Sequence, residues 1–149
     1  MLTSSSSDLA IGTLLRYPWQ AIRLRIHEAL AVAGFDDLQP AHLAVLQTPG
    51  PDGRRPSELA RAALMSKQAM NRLIQSLEQK GYVQRTAADN DGRARIVRLT
   101  ERGRDATATI YRAAAEIERE LSAKLGAERL AALKRELAGL GELASNWRQ

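Results

Sequence analysis

A chain of 149 residues, 44% apolar and 26% charged, is sized for one well-cored domain. It has no cysteine, which removes disulfides, thiolate catalysis, thiol redox sensing and cysteine-ligated metals together. The net charge is +5, yet Arg54 to Arg104 alone holds 12 Lys/Arg against 5 Asp/Glu, a local +7 that leaves −2 elsewhere. Such a local excess is what a polyanion-binding face requires, although an arginine-rich solvated surface has the same count.

Aromatic residues make up only 4%, so the core is built from Leu, Ala, Ile and Val, and the composition predicts a mainly helical fold. No apolar run approaches the roughly 18 residues of a membrane span. The opening MLTSSSSDLAIGTLL lacks the basic start of a secretory signal. The expectation is a cytoplasmic protein with no membrane partner.

Taken in order, Ser4 to Ser7 read as a loosely held arm. Leu14, Ile22, Ile26 and Leu30 follow at helical spacing. Pro18 interrupts them, so the main helix is expected from Pro18 to Ala33, ended by Gly34, with a weaker helical piece before it. A short helix is predicted from Pro40, stopping at TPGPDG. Pro56 suits the first position of the next helix, with Leu59, Ala60 and Ala63 as its apolar stripe.

Ser66 is placed to cap the following helix. Met70, Leu73, Ile74 and Leu77 recur at the spacing of one buried face, and Gly81 ends the helix. Two helices joined by the tight Leu-Met-Ser connection form a helix-turn-helix pattern. Opposite the apolar stripe stand Lys67, Gln68, Asn71, Arg72 and Gln75, with no acid before Glu78. Lys and Arg favour guanine edges in the major groove, and Asn and Gln favour adenine. An ordinary solvated face carries the same residues, but usually with acids mixed in.

YVQRT and ARIVRLT have strand-like composition, and the Asp91-Gly92 pair between them signals a hairpin turn. Its alternation is imperfect, because Arg95, Val97 and Leu99 share one face. Arg93 and Arg95 lie just past the turn and Arg85 is on the incoming strand, where arginines suit a narrow minor groove or phosphates. Asp91 is placed to orient Arg93 by a charge-assisted hydrogen bond. Thr100 caps a long helix that pauses at Gly126. Beyond it, Leu130, Leu133, Leu137, Leu140 and Ala144 form a heptad-like seam. The seam covers either the chain's own core or a second subunit. With only a small globular centre to cover, subunit contact is the preferred reading.

SELA, MSKQAMNRLIQSLEQKGYV and DGRARIVRLTERGR occur in the order and spacing of a known family. The most specific piece is D-x-R-x-x-x-V-x-L-T-x-x-G, here Asp91, Arg93, Val97, Leu99, Thr100 and Gly103. From about Leu38 to Arg104 the chain resembles the MarR (multiple-antibiotic-resistance regulator) winged-helix transcription factors. That resemblance implies a mainly α fold with a small β-hairpin wing, and terminal helices that join two subunits. Residues 1–36 would form an arm and dimerisation helix, 37–104 the winged helix-turn-helix, and 105–149 the C-terminal dimerisation helices.

By the same resemblance, the chain is a homodimeric regulator of a pseudo-palindromic DNA operator, usually a repressor. Ser66, Lys67, Gln68, Asn71, Arg72, Gln75, Arg85, Arg93 and Arg95 are the candidate DNA contacts. Asp91 and Gly92 shape the wing, and Ile22, Ile26, Leu130, Leu133, Leu137 and Leu140 join the subunits. Release by a small aromatic effector is a family habit. Trp19, His27 and His42 are the candidates to line its cavity; Tyr17, Phe35 and Tyr111 could pack around an aromatic effector too, but each of these aromatics, Trp19 included, is as easily a core or dimer contact. Three departures stand out: Arg55 where the family has a Thr or Ser cap, Gly92 at an often basic position, and Pro18 in a usually continuous helix.

An enzyme is the first rival class. With two histidines, no cysteine and no Gly-rich phosphate loop, a nucleophilic triad, a metal site or a nucleotide cofactor has nothing to stand on. A winged helix used only for protein contacts is the second rival. It has no need of +7 on the helix and hairpin.

Overall fold

The computed structural model describes residues 9–48, 50–88 and 91–148. Ser4 to Ser7, the connecting residues Asp89 and Asn90, and the side chain of Asp91 lie outside that description. The chain divides into two compact units, Met1–Ala113 and Ala114–Gln149.

The first unit opens with helix α1, Ile11–Val32, which runs through Pro18 without a break. The expected start at Pro18 is therefore corrected. A mid-helix proline removes the hydrogen bond to the carbonyl four residues back. Here Pro18 and Leu14 are both exposed, so water can meet that carbonyl and the helix continues. A 3-10 turn at Pro40–His42 then leads into a short helix α2, Leu43–Leu46. Helices α3 (Pro56–Ala62) and α4 (Lys67–Gln79) form the helix-turn-helix. Arg55 offers no side-chain acceptor to α3, but the Glu58 carboxylate accepts from the Arg55 N–H at 3.0 Å, which supplies half a capping box. On α4, Met70, Ile74 and Leu77 are fully buried and Leu73 is half-buried, so the helix turns its apolar stripe towards this unit's core.

Three helices of this unit end in one hydrogen-bond pattern. After α1, Gly34 N–H donates to Ala31 O and Phe35 N–H to Leu30 O; after α4, Gly81 N–H donates to Glu78 O and Tyr82 N–H to Leu77 O. After α3, Leu64 N–H donates to Arg61 O and Met65 N–H to Ala60 O. These are Schellman caps, whose first residue past the cap must be left-handed. Gly34 (φ 94°) and Gly81 (φ 80°) meet that need freely, whereas Leu64 (φ 54°) meets it with a side chain, at a cost of about 1–2 kcal/mol.

Strands β1 (Val83–Ala88) and β2 (Asp91–Leu99) form the antiparallel hairpin. Pairing is in register from Val83↔Leu99 to Ala87↔Arg95, and then Ala88 pairs with Asp91. Between these two pairings β2 carries three residues, Gly92, Arg93 and Ala94, where β1 carries none, which makes a bulge in the longer strand. Asp91 and Gly92 lie within the strand rather than forming the hairpin turn, which corrects the expectation built on that dipeptide. Turn chemistry is local, whereas register follows the buried cross-strand pairs, and Val83, Val97 and Leu99 dominate it. Of the face shared by Arg95, Val97 and Leu99, the last two are core and Arg95 is exposed beyond it.

Arg54 adds a short third edge to the hairpin, exchanging backbone hydrogen bonds with Val97 (2.7 and 3.3 Å). Asp52 beside it accepts from the Leu99 N–H at 3.1 Å and pairs with Arg104. Helix α5, Glu101–Leu125, begins at Thr100, whose hydroxyl accepts from the Gly103 N–H (3.1 Å) and donates to the Gly81 carbonyl (2.6 Å). Gly103 packs against the Tyr82 carbonyl so closely that any Cβ there would collide with backbone.

The second unit is a helical hairpin made of the last part of α5 and helix α6, Ala127–Ser145, joined at Gly126 (φ 90°). Lys134 on α6 reaches both carboxylate oxygens of Glu118 on α5 at 2.9 Å. Ile117 and Leu130 are buried, but Leu133 and Leu137 are 46% and 40% exposed.

Candidate nucleic-acid interface

Helix α4 carries the site because its two faces have unlike fates. Ser66 caps it as expected, its hydroxyl accepting from the Ala69 N–H at 3.1 Å. With Met70, Ile74 and Leu77 turned into the core, Lys67, Gln68, Asn71, Arg72 and Gln75 are all exposed, as is Ser66. The first acid on the helix, Glu78, is drawn into an ion pair with Arg85 of β1 at 3.5 Å. Arg85 also donates to the Asn71 carbonyl at 3.5 Å. The half-buried Arg85 therefore ties the incoming strand to α4 and offsets the charge of the first acid on that helix. Arg93 and Arg95 are exposed on β2, Arg93 within the bulge and Arg95 opposite Ala87, too small a residue to screen it. Gly92 is exposed beside Arg93.

Behind the far end of α4, Arg102 gathers four groups. Its guanidinium donates to the Lys80 carbonyl (3.1 Å), to both oxygens of Asp37 (3.1 and 3.2 Å) and to the Tyr82 hydroxyl (3.0 Å), and lies 4.4 Å from the Tyr82 ring centroid. Tyr82 donates to Asp37 at 2.5 Å and meets Phe35 edge-on. Burial pushes the Asp37 carboxyl up, but the Tyr82 hydrogen bond and the Arg102 charge outweigh it and hold the group below its usual 3.8. Burial and then the Asp37 hydrogen bond push the Tyr82 phenol up to about 12. This cluster joins the segment after α1, the end of α4 and the start of α5. Motif reading missed it because Asp37 and Arg102 are 65 residues apart.

The effector candidates are differently placed. Trp19 is 54% exposed on α1. The ring of His27 donates from Nε2 to the Leu38 carbonyl at 2.7 Å. His42 is buried with both nitrogens engaged: Nδ1 accepts from the Gln39 N–H (2.8 Å), which leaves Nε2 to donate to Ser76 Oγ on α4 (2.9 Å). Burial, and then the positive charge of Lys80, push this imidazole below 6.5, with Asp37 pulling the other way. Among the subunit-contact candidates, Ile26 is 1% exposed within a single chain and has no surface left for a partner. Ile22 and Leu140 are half-buried, and Leu130 is buried. Beyond α6, Trp147 in the 3-10 turn Asn146–Arg148 is 75% exposed.

Among the described residues no helix is long and apolar enough to cross a membrane, and no cluster of His, Asp and Glu is arranged to hold a metal. A model of the MarR family matches residues 33–94. The HTH-type transcriptional repressor Rv2887 of Mycobacterium tuberculosis (strain ATCC 25618 / H37Rv) is 31% identical over 137 residues, 91% of this chain and 96% of the relative. The crystal structure of that MarR family protein in complex with salicylic acid covers 91% of this chain and 99% of its own, with 29% identity and a TM-score of 0.64. The transcriptional regulator PA3341 is 25% identical, with a TM-score of 0.75 and coverage of 92% and 99%. The fold also matches the repressor CouR bound to a 23-mer DNA duplex, at 22% identity, a TM-score of 0.69 and coverage of 89% and 92%. With its capped helix, polar on its exposed face, and its hairpin, the chain belongs to the MarR family and is a winged-helix transcriptional regulator, not an enzyme.

Proposed function

We propose that the chain is a homodimeric, sequence-specific DNA-binding repressor of a pseudo-palindromic operator. The observation that carries this reading is the exposed face of α4, where Lys67, Gln68, Asn71, Arg72 and Gln75 stand with the charge of the first acid, Glu78, offset by Arg85. A helix about 10–12 Å across fits the major groove, and its N-terminal residues reach deepest. Arg93 and Arg95 then extend the grip to the adjacent minor groove or its phosphates. The +7 excess of this stretch supplies the attraction.

The second subunit covers the seam from Leu133 and Leu137 to Trp147, whose exposure in one chain is otherwise unexplained. Residues 1–36 and 105–149 serve that pairing, and 37–104 serve DNA. The complex of Rv2887 with salicylic acid supports a small aromatic effector here, one that lowers operator affinity. The regulator works in the cytoplasm, beside its operator.

The test is retention of random genomic fragments on the purified protein, followed by sequencing. A shared inverted repeat near a promoter is expected, with release on adding salicylate. Retention without a shared sequence would reduce the activity to electrostatic affinity. No retention would favour a protein-contact module.

A further inference from the structure

Three helices of the first unit share one C-terminal cap, and two fill its left-handed position with glycine. At Gly34 and Gly81 an added Cβ would meet nothing within 4 Å, so space does not separate the three sites. Leu64 alone holds a side chain in a conformation that opposes one, and that side chain is 56% exposed. Burial in the chain's own core therefore does not account for a leucine here. Strain of this kind, kept for an exposed apolar group, points outward to a contact.

The location indicates which contact. Leu64 stands two residues before the cap Ser66 and three before Lys67, the first residue of α4. The exposed residues of that helix up to Gln75, namely Lys67, Gln68, Asn71, Arg72 and Gln75, are all hydrogen-bonding. Together they address the donors and acceptors of base edges, but none is apolar. The major groove carries one apolar feature, the thymine C5-methyl group, and an aliphatic side chain is what reads it. We infer that Leu64 is a specificity-determining residue that packs against a thymine methyl at the edge of the site read by α4. The inference rests on the DNA-binding reading above.

The experiment titrates the wild-type protein, Leu64→Gly and Leu64→Asn against the operator recovered by fragment selection. The half-site thymines are replaced singly by uracil, which lacks only the methyl group. Both variants suit a left-handed backbone, so each should melt no lower than wild type. One uracil position should weaken wild type by roughly fourfold per half-site, the equivalent of one methyl returned to water. The variants should bind thymine-containing operator more weakly by a similar factor, ignore that uracil, and keep the wild-type salt slope. Variants that bind as tightly as wild type, or that respond to every uracil as wild type does, overturn the inference. Wild type that retains no duplex overturns the DNA-binding reading as well, so the two failures are distinguishable.

Discussion

Helices α4 and α6 are both amphipathic, and they end in opposite situations. Met70, Ile74 and Leu77 of α4 are fully buried within one chain and Leu73 is half-buried, and the fully exposed positions of the helix are all polar. Helix α6 buries Leu130 and leaves Leu133, Leu137 and Leu143 largely in water. The first helix is complete in a single chain, and its exposed side is free to address something charged. The second holds apolar surface that a single chain does not cover, and on the proposed reading a second copy covers it. Amphipathicity alone does not reveal which side of a helix is outward-facing; the burial of the apolar side does.

Substitutions on the two helices should therefore behave differently. Ile74→Ala should lose about 2–5 kcal/mol of stability through the cavity left in a closed core. Denaturant unfolding would show a lower midpoint at every protein concentration, and an unchanged midpoint would mean that the α4 stripe is not core. Leu133→Glu with Leu137→Glu should instead raise the dimer dissociation constant at least about 100-fold, or roughly 2.7 kcal/mol. Sedimentation should then give half the wild-type mass with the helical signal kept; equal masses would remove the seam from the subunit contact.

On the polar side, Arg93→Ala should weaken operator binding by about 1–3 kcal/mol with the melting temperature kept. Unaltered affinity would leave α4 as the sole reader and the wing as scaffold. Smallest is the pH effect of His42, which joins α2 to α4 through Ser76. Its imidazole lies below 6.5 in the folded chain, so the unfolded chain binds the extra proton more readily. Stability is thus full above about 6.5 and declines as pH falls through that value towards the folded pKa. His42→Gln should flatten that part of a melting-temperature profile, and an unaltered slope would assign it to other groups.

The elements that the sequence made legible are those coded locally. Ser66 and Thr100 cap helices, Pro56 starts one, and Gly81 and Gly126 mark ends, each through contacts within a few residues. The candidate DNA face was legible for the same reason, since a period of 3.6 sorts α4 into two sides. What escaped was set across distance or by water. An exposed position lets α1 run on through Pro18, cross-strand packing overrode the Asp91-Gly92 turn signal, and Arg54 joins the hairpin through Val97, 43 residues away. Ile26 has the spacing of a subunit contact but lies within the core, because periodicity shows that a side is apolar and not which body covers it.

The bulge in β2 separates what holds the wing from what the wing presents. Pairing from Val83↔Leu99 to Ala87↔Arg95 is anchored by buried side chains and by the Arg54 edge, while Gly92, Arg93 and Ala94 lie in the bulge where the register shifts. The register shift lies in that bulge, outside the buried pairs below it. On the proposed reading, the bulge sets how far Arg93 reaches from the buried pairs, and with it which flank of an operator the wing touches.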